Sequence, residues 1–213
     1  HYLIPKYKLQ IHAEHFQKVN HNLLGIKGSN MKDIKTVRSH FQAIGQCQKI
    51  ISNHKLKPII SADTAGSAKF ISEKKNKSEA AIASKLAAKI YNLQILKTNI
   101  EDDSENVTRF FMMGKESKHP EFSDKKYITS CIFKLKSIPA ALYKALGGFA
   151  TNGVNLCKLE SFAVKNTFDQ VNFYIDIEGH LEDPSLQKAL EELGFHTQKL
   201  DILGVYEAHK FRL

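Results

Sequence analysis

The order of strand-like and helix-like segments in residues 127–213 constrains the fold more than any other feature of the sequence. Two helical patterns interrupt the strands, one with an early proline and one that Asp183-Pro184 opens and Gly194 stops. The predicted strands are Ile128–Leu135, Asn155–Val164, Val171–Ile177 and Gln198–Tyr206, and the predicted helices are Pro139–Ala150 and Asp183–Gly194, with a turn at Gly153. The order βαββαβ is typical of the ferredoxin-like fold, with four antiparallel strands and two helices on one face. That fold supports many functions, so it assigns no chemistry by itself.

Residues 1–114 are predicted to form a mixed α/β domain, because apolar spacing alternates between periods typical of strands and of helices. Strands are predicted at Leu9–Phe16, Lys57–Ser61 and Thr108–Met113, and an acidic loop at Glu101–Asn106. Three helices are predicted between these strands. The first is capped by Ser39 and presents Phe41, Ile44, Gln48 and Ile51 on one face, the second is capped by Asp63 and runs through Phe70, and the third is a longer Ala-rich helix from Ser78 through Ala81, Leu86 and Ile90.

A polar segment from Gly114 to Asp124 separates the two halves. It contains one proline and scattered charges, which is typical of a linker. The sequence therefore predicts a first domain at 1–114, a linker at 115–126 and a second domain at 127–213.

The charge pattern bears on nucleic-acid binding. The formal net charge is +9, but the only arginines are Arg38, Arg109 and Arg212, and the lysines are scattered apart from short runs such as Lys74-Lys75 and Lys125-Lys126. The planar guanidinium of arginine reads guanine and stacks on bases in ways that an ammonium cannot. The composition therefore favours a solvated Lys-rich surface over a nucleic-acid-binding face.

Composition also bounds the class and the compartment. A hydrophobic fraction of 42% and a charged fraction of 25% are ordinary for a globular protein, and no apolar run approaches the roughly 20 residues of a membrane helix. Three cysteines, Cys47, Cys131 and Cys157, fit neither a disulfide framework nor a zinc site, so a cytoplasmic protein is predicted. The start, His1–Lys6, has no initiator Met and no signal-like apolar core, which indicates a chain entered part-way.

Several separated strings, in the same order, resemble the prephenate dehydratase family. In the first half they are Val19–Leu24 (similar to its His-x-Leu segment), Ser39–Ala43 with Gln46-Cys47 (similar to its Ser-His-Pro-Gln-Ala…Gln-Cys helix), Ala80–Ser84 ahead of Tyr91–Leu93, and Asn99–Asp102 leading into Thr108-Arg109-Phe110, its Thr-Arg-Phe signature. In the second half, Ile138–Leu146, Asn155–Ser161 and Ile177–His180 resemble the family's ACT domain. The Thr-Arg-Phe string alone is weak, but six ordered segments with an ACT tail are specific.

The resemblance implies a combined α/β and α+β fold. The first half would be the second lobe of a two-lobed, periplasmic-binding-protein-like catalytic domain, followed by a ferredoxin-like ACT regulatory domain. The family's first lobe carries a Gly-Pro-x-Gly-[Ser/Thr] string and a Glu-Asn-[Ser/Thr] motif, and neither occurs here. Most of that lobe is therefore expected to be missing, in a fragment or in a truncated product. Phe41 also stands where the family has Pro, and Phe162-Ala163 replace the end of its Glu-Ser-Arg-Pro string, which weakens the match at the effector site.

The activity implied by the resemblance is a lyase reaction, the decarboxylating dehydration of prephenate to phenylpyruvate in phenylalanine biosynthesis. Aromatisation drives it, so no metal or redox cofactor is expected. General-acid assistance of this kind is worth roughly 10²–10⁴ in rate. The resemblance assigns Thr108 as the hydroxyl donor to the leaving oxygen, and Gln46 as a cleft residue that hydrogen-bonds the substrate. From the residues alone, Thr108 also fits a β-branched strand position and Gln46 an exposed helix position.

Further substrate contacts are expected near helix starts and strand ends. Ser39 and His40 lie at a predicted helix N-terminus, where free N–H groups attract a carboxylate, although a plain N-cap explains them as well. His21 and Asn22 lie just past a strand end, where α/β proteins often contact ligands, and a turn-forming Asn is the alternative. Thr64, beside the cap residue Asp63, is a weaker candidate.

The remaining two residues of the Thr-Arg-Phe string are also candidate substrate contacts. Arg109 either offsets the charge of the substrate or pairs with the acidic loop, and the sequence does not choose between these roles. Phe110 follows it in the same predicted strand.

The ACT half is expected to bind L-phenylalanine between paired domains, which predicts at least a homodimer. Backbone groups would hold the ammonium and carboxylate, and apolar residues would hold the ring. The expected contacts are Ala140, Ala141, Leu142, Asn155, Leu156, Glu160 and Ser161. Leu142 and Leu156 also fit simple core positions, and Glu160-Ser161 fit a solvent-facing strand.

Two other functions are compatible with parts of the sequence. With one lobe missing the cleft would have a single wall, so the chain would be an inactive, amino-acid-binding ACT protein. The order βαββαβ is also that of the RNA-binding RRM, but the aromatic strand motif of that module does not occur. The sequence therefore predicts prephenate as substrate and phenylalanine as effector, with no nucleic-acid or membrane partner.

Overall fold

The computed structural model describes residues 1–116, 118–163 and 171–212. The strands are β1 (Gln10–Lys18), β2 (Asn22–Gly25), β3 (Thr36–His40), β4 (Lys57–Ser61), β5 (Glu79–Ala83), β6 (Gln94–Lys97), β7 (Val107–Gly114), β8 (Tyr127–Leu135), β9 (Leu156–Ala163), β10 (Val171–Glu178) and β11 (Thr197–Glu207). The helices are α1 (Leu3–Lys6), α2 (Phe41–Gly45), α3 (Gln48–Asn53), α4 (Thr64–Lys74), α5 (Lys85–Ile90), α6 (Ala141–Thr151) and α7 (Pro184–His196), with 3-10 turns at Met31–Asp33 and Lys210–Arg212.

Backbone contacts divide the chain into two compact units. Residues 1–16 and 109–213 form the first unit, and residues 17–108 form the second. The boundary between the units falls within β1 and again within β7, and these two strands pair in a two-stranded sheet. Among the described residues, no helix combines the length and the apolar character that a transmembrane span requires.

The second unit is built on a mixed five-stranded sheet in the order β4-β3-β5-β2-β6. Strand β3 pairs in parallel with β4 and β5, and β2 pairs antiparallel with β5 and β6. Apolar clusters cover both faces, one around Val37 and Ile82 and the other around Ala81 and Ile71. Every residue of β5 is buried, as expected for a central strand covered on both sides.

The Ala-rich helix predicted from Ser78 to Ile90 is wrong in its first half. Glu79–Ala83 form the central strand β5, and only α5 is helical, with the Ser84 hydroxyl accepting a hydrogen bond from the Ala87 N–H at 3.1 Å. The helix preference of alanine is worth less than about 1 kcal/mol per residue. Burial of Ala80 to Ala83 between two cores outweighs that preference.

The first unit contains the predicted βαββαβ order. Strands β11-β8-β10-β9 form an antiparallel sheet, and α6 and α7 pack on one face around Phe133, Phe149 and Leu193. Helix α7 continues two residues beyond the predicted stop at Gly194. Val164, the last residue of the predicted second strand, and Ser117 in the predicted linker lie outside the described residues.

The opposite face of the four-stranded sheet is covered by residues from the start of the chain and from β7. Ile11 and Phe111 pack with Ile128, Tyr174 and Tyr206 in one apolar cluster. Residues 1–16 and 109–114 therefore belong to the same compact unit as the sheet. This division differs from the predicted boundaries at residues 114 and 126, because the prediction used only composition along the chain.

A buried charge cluster lies beside this apolar contact. The Arg109 guanidinium donates through Nε to Glu14 at 2.7 Å, through Nη1 to Asp176 and through Nη2 to the Tyr206 hydroxyl at 2.8 Å. Arg212 donates to the other Glu14 oxygen at 2.7 Å. Burial and the charge of Asp176 raise the pKa of Tyr206 above its ordinary value. The phenol is therefore a neutral partner in the cluster at physiological pH.

We predict that Gly204→Ala destabilises the protein. A Cβ at Gly204 would lie 2.1 Å from the carbonyl oxygen of Ile11, so the backbone must move to accept it. The free energy of unfolding should fall by about 2–3 kcal/mol, measured by urea denaturation.

Gly194→Ala in α7 is the matched control, because no tertiary contact from the described residues lies within 4 Å of its added Cβ. Its stability should be unchanged or higher by about 0.5–1 kcal/mol. Equal stability of Gly204→Ala and the wild type would contradict the close approach of Gly204 to Ile11.

Candidate active site

A cleft of about 390 Å³ lies in the second unit at the carboxyl ends of β3 and β4. Strand β3 leads through α2 and α3 to β4 on one side, while β5 pairs on its other side, so the sheet order changes direction here. Open α/β sheets bind ligands at such switch points. The residues lining the cleft are Val19, His21, His40, Gln42, Ala43, Gln46, Ala62, Asp63, Thr64, Asn106 and Thr108.

His21 and Gln46 form a hydrogen-bonded pair in this cleft. His21 immediately precedes β2, whose antiparallel pairing of Asn22 with Ala83 brings it to the carboxyl end of β5. The Nε2 atom of His21 lies 2.8 Å from Oε1 of Gln46. In the tautomer that carries its proton on Nε2, His21 donates this bond, because an amide oxygen only accepts. The pairing leaves the amide N–H₂ of the exposed Gln46 side chain as a donor at the cleft.

The helix predicted from Ser39 through Ile51 is two helices in the structure. Helix α2 ends at Gly45, Gln46 and Cys47 form the junction, and α3 begins at Gln48. Its N-cap also differs from the prediction, because His40 accepts from the Gln42 N–H through Nδ1 at 3.4 Å. Gln46 therefore stands at a break between helices instead of on the face of one continuous helix.

Ser39 does not reach the cleft. It lies in β3, is fully buried, and its hydroxyl donates to the carbonyl oxygen of Ile82 at 2.7 Å. The predictions of Ser39 as a helix cap and as a substrate contact are both corrected by this placement. A buried hydroxyl that donates a hydrogen bond between two adjacent strands has a structural role.

Asn22 is likewise buried, and it is neither a turn residue nor a residue of the cleft. It begins β2, and its amide nitrogen donates to the carbonyl oxygens of Ala83 at 3.3 Å and of Asn20 at 3.4 Å. These two contacts use the amide nitrogen, while the side-chain oxygen Oδ1 has no hydrogen-bond partner among the described residues.

Thr108 and Asn106 line the cleft from the segment that leads into β7. Thr108 is exposed, and the carbonyl oxygen of Asn106 accepts from the Val19 N–H at 2.9 Å. The sequence prediction included Thr108 but missed Asn106, and it also missed Val19 and Gln42. Side chains two residues apart lie on the same side of an extended segment. That spacing from Thr108 is the signal that could have identified Asn106.

Thr64 enters the cleft as the first residue of α4. The predicted cap is confirmed, because the Asp63 carboxylate accepts from the Gly66 N–H. Both residues line the cleft, and so does His40. The structure thus brings His21, His40, Gln46, Thr64 and Thr108 together.

Arg109 is occupied by partners in the first unit. Its guanidinium contacts Glu14, Asp176 and Tyr206, so the predicted pairing with the acidic loop at Glu101–Asn106 is wrong. Phe110 also belongs to the first unit and is 53% exposed. Along β7 the side chains alternate, so Phe110 shares the face of Thr108 while Arg109 lies on the other face.

Cys47 lies at the helix junction beside Gln46 and is fully buried. Burial, together with the charges of Asp102 and Glu101, raises the pKa of its thiol to about 12. The thiol is therefore protonated at neutral pH, which is unfavourable for a nucleophile.

The predicted effector residues lie at two ends of the four-stranded sheet. Ala141 lines a cleft of about 520 Å³ with the loop that follows β8. Asn155 lines a cleft of about 370 Å³ with Gly179 and His180, at the opposite end, where Leu156 pairs with Ile177. One chain therefore does not bring these two groups together.

Five further effector candidates lie on or near α6 and β9: Ala140, Leu142, Leu156, Glu160 and Ser161. Leu142 and Leu156 pack against the core between helices and sheet, as their alternative interpretation proposed. Glu160 pairs with Lys158 at 2.8 Å and with His1 at 3.2 Å, and Ser161 is exposed on β9. Ala140, just before α6, has a φ of +56°, a region that favours glycine.

We predict that Ser39→Ala acts on stability through its buried bond. Removal of the hydroxyl leaves the Ile82 carbonyl oxygen without this donor, so the free energy of unfolding should fall by about 1–3 kcal/mol in urea denaturation. Ser52→Ala, at an exposed position of α3, is the matched control and should change stability by less than about 0.5 kcal/mol. If Ser39→Ala were as stable as Ser52→Ala, the hydrogen bond from Ser39 to Ile82 would make no contribution to stability.

Comparison with known proteins places these observations in a family. Residues 1–118 match the family model described as prephenate dehydratase. A bifunctional N-acyl-homoserine lactone acylase/prephenate dehydratase of Komagataeibacter europaeus is 42% identical over 212 residues, which cover 100% of this chain and 75% of that protein. The arogenate dehydratase/prephenate dehydratase 1 of Arabidopsis thaliana is 38% identical over 219 residues, covering 96% of this chain and 55% of that protein.

A solved structure agrees with these relatives. The prephenate dehydratase of Arthrobacter aurescens, in complex with L-Phe, superposes with a TM-score of 0.85 and 29% identity, covering 94% of this chain and 66% of that one. The chain thus spans three quarters of the bacterial relative and about half of the plant relative. On the family match and these identities, the chain belongs to the prephenate dehydratase family.

Proposed function

We propose that this chain performs the prephenate dehydratase reaction in the cleft of the second unit. The observation that carries the proposal is the convergence of His21, Gln46 and Thr108, from three separate stretches of sequence, on one cleft at the carboxyl edge of the sheet. These are residues that the family resemblance assigns to substrate and catalysis. We also propose that residues 17–108 are the second lobe of the catalytic domain and that the βαββαβ sheet is an ACT domain.

The reaction breaks two bonds of the substrate ring. The bond to the ring carboxylate breaks, CO₂ leaves, and the electron pair enters the ring as the carbon–oxygen bond on the opposite side breaks. The departing hydroxide takes a proton and leaves as water, so the step needs no net oxidation. The protein must therefore hold two carboxylates and stabilise the leaving oxygen.

The cleft residues can meet these two requirements. The exposed Thr108 hydroxyl would donate to the leaving oxygen, and since threonine is a weak acid, it would act mainly by hydrogen bonding and positioning. The Gln46 amide would donate to a substrate oxygen. The Thr64 hydroxyl, at the start of α4, would donate to a second substrate oxygen.

The name of the bacterial relative also includes an acylase activity. Acyl transfer through a covalent intermediate requires an activated nucleophile. The pKa of the Cys47 thiol, raised to about 12, does not favour that role. We propose the dehydratase reaction for this cleft because the residues that the family resemblance assigns to that reaction line it, whereas Cys47 is not among the lining residues.

The first test is formation of phenylpyruvate from prephenate by the purified chain at neutral pH, beside a control without enzyme. Thr108→Ala should lower kcat by about 10²-fold or more, because the donor to the leaving oxygen is lost. Thr108→Ser keeps the hydroxyl and should retain most of the activity.

Thr98→Ala, at an exposed loop position, is the matched control and should match the wild type. Turnover no faster than the control without enzyme would reject the dehydratase proposal for this chain. Equal rates for Thr108→Ala and the wild type would reject the role of Thr108.

We further propose that L-phenylalanine binds where two copies of the chain meet. The two groups of effector candidates lie at opposite ends of the sheet, so the loop at Ala141 from one copy and Asn155 from another can complete one site. The solved relative that contains L-Phe supports this ligand.

The expected result is calorimetric binding of L-phenylalanine that strengthens with protein concentration as the apparent mass rises toward a dimer. Asn155→Ala should weaken this binding, whereas Asn53→Ala, at an exposed position of the other unit, should leave it unchanged. Binding of equal strength to a chain that stays monomeric would contradict a site shared between two copies.

A further inference from the structure

Two neighbouring acidic residues contact the two members of the His21–Gln46 pair. Glu101 contacts His21, and Asp102 contacts Gln46 and the start of α3. The Asp102 carboxylate accepts from the Gln48 N–H at 2.6 Å and from the Lys49 N–H at 3.0 Å, which are the first two residues of α3. It thus supplies the N-terminal cap of α3 from a loop more than 50 residues away in sequence. The junction residue Cys47 makes no side-chain cap of its own.

Asp102 also holds the helix junction through its backbone. Its N–H donates to the carbonyl oxygen of Gln46 at 2.7 Å, and its own carbonyl oxygen accepts from Nζ of Lys49 at 3.0 Å. These contacts surround the Gln46–Lys49 segment. Because α3 has only six residues, its intrinsic stability is low, and its first turn depends on this external cap.

Glu101 and its neighbour Ile100 hold the other member of the pair. The Glu101 carboxylate accepts from the His21 N–H at 2.9 Å, and the Ile100 N–H donates to the His21 carbonyl oxygen at 2.9 Å. Residues 100–102 therefore fix the backbone of His21 on one side and the backbone of Gln46 on the other. The 2.8 Å contact between their side chains is made between two elements held by the same loop.

We propose that Asp102 is a positioning residue for the dehydratase reaction, acting through Gln46, with Glu101 in the same role for His21. The inference rests on the proposed function. Without the Asp102 cap the first turn of α3 loosens and the Gln46 backbone is no longer fixed. The side-chain amide of Gln46 then no longer has one orientation in the cleft. Misplacement of a catalytic contact by about 1 Å can cost about 10²-fold in rate.

The kinetic test compares substitutions in one loop. Asp102→Ala should lower kcat/KM for prephenate by about tenfold or more, and Asp102→Asn, which keeps one acceptor oxygen and the shape, should fall between it and the wild type. Asp103→Ala is the matched control, because within the described part of the chain the Asp103 carboxylate accepts a local bond from the Glu105 N–H at 2.8 Å. Its kcat/KM should match the wild type.

A double-mutant cycle separates positioning from general loss of structure. If Asp102 acts through Gln46, then Asp102→Ala should have little further effect on kcat/KM in a Gln46→Ala background. Full additivity of the two substitutions would overturn the proposal. If Asp102→Ala does not fold, as judged by circular dichroism, the same cycle is made with Asp102→Asn.

A measurement that needs no turnover tests the positioning role of Asp102 separately from the proposed function. In ¹⁵N-labelled protein, the side-chain amide signal of Gln46 should shift or broaden in Asp102→Asn and stay unchanged in Asp103→Ala. An unchanged Gln46 signal in Asp102→Asn would overturn the positioning role. Absence of turnover in the wild type together with the expected shift would reject the dehydratase proposal while supporting the contact between the loop and Gln46.

Discussion

The first unit depends on the charge cluster in which Arg109 joins Glu14 and Asp176. The side chains of both acids are fully buried, so each needs its guanidinium partner. Removing one partner of a buried pair typically costs about 3–5 kcal/mol, since the other charge remains without compensation. The cluster joins β1, β7 and β10, and this explains why residues 1–16 and 109–114 fold with the four-stranded sheet.

This cluster also explains where Arg109 acts. Consecutive side chains of a strand point to opposite faces, so Arg109 is directed away from the face that carries Thr108. The family signature Thr108-Arg109-Phe110 thus combines two roles within three residues. Thr108 lines the cleft of the second unit, and Arg109 binds carboxylates of the first. Similarity of sequence identified the string, but only the fold assigns each side chain to a role.

Much of the fold was predictable because its signals are local. The βαββαβ order, the strand at Lys57–Ser61 and the helix capped by Asp63 follow from periodicity and from cap residues. The failures involve partners distant in sequence. Two cores bury Ala80–Ala83 as a strand, and the carbonyl oxygen of Ile82 engages Ser39.

Only some residues of the candidate site could be predicted from the sequence. His21, Gln46 and Thr108 were identified by resemblance to family strings and do share one cleft. Asn106 was missed because its two-residue spacing from Thr108 was not used, and Val19 and Gln42 were missed because only the fold brings them to the cleft. The break at Gln46 was also missed, since the carboxylate that caps α3 after the break comes from a loop far along the chain.

We propose the cleft at the carboxyl edge of the five-stranded sheet as the place where the reaction occurs. The most direct measurement is a titration of the ¹⁵N-labelled chain with phenylpyruvate, the product of the proposed reaction, followed by backbone amide shifts. If product binds in this cleft, we expect saturable shifts centred on His21, Gln46, Asn106 and Thr108. Shifts confined to the four-stranded sheet, or no shifts at saturating product, would contradict this proposal.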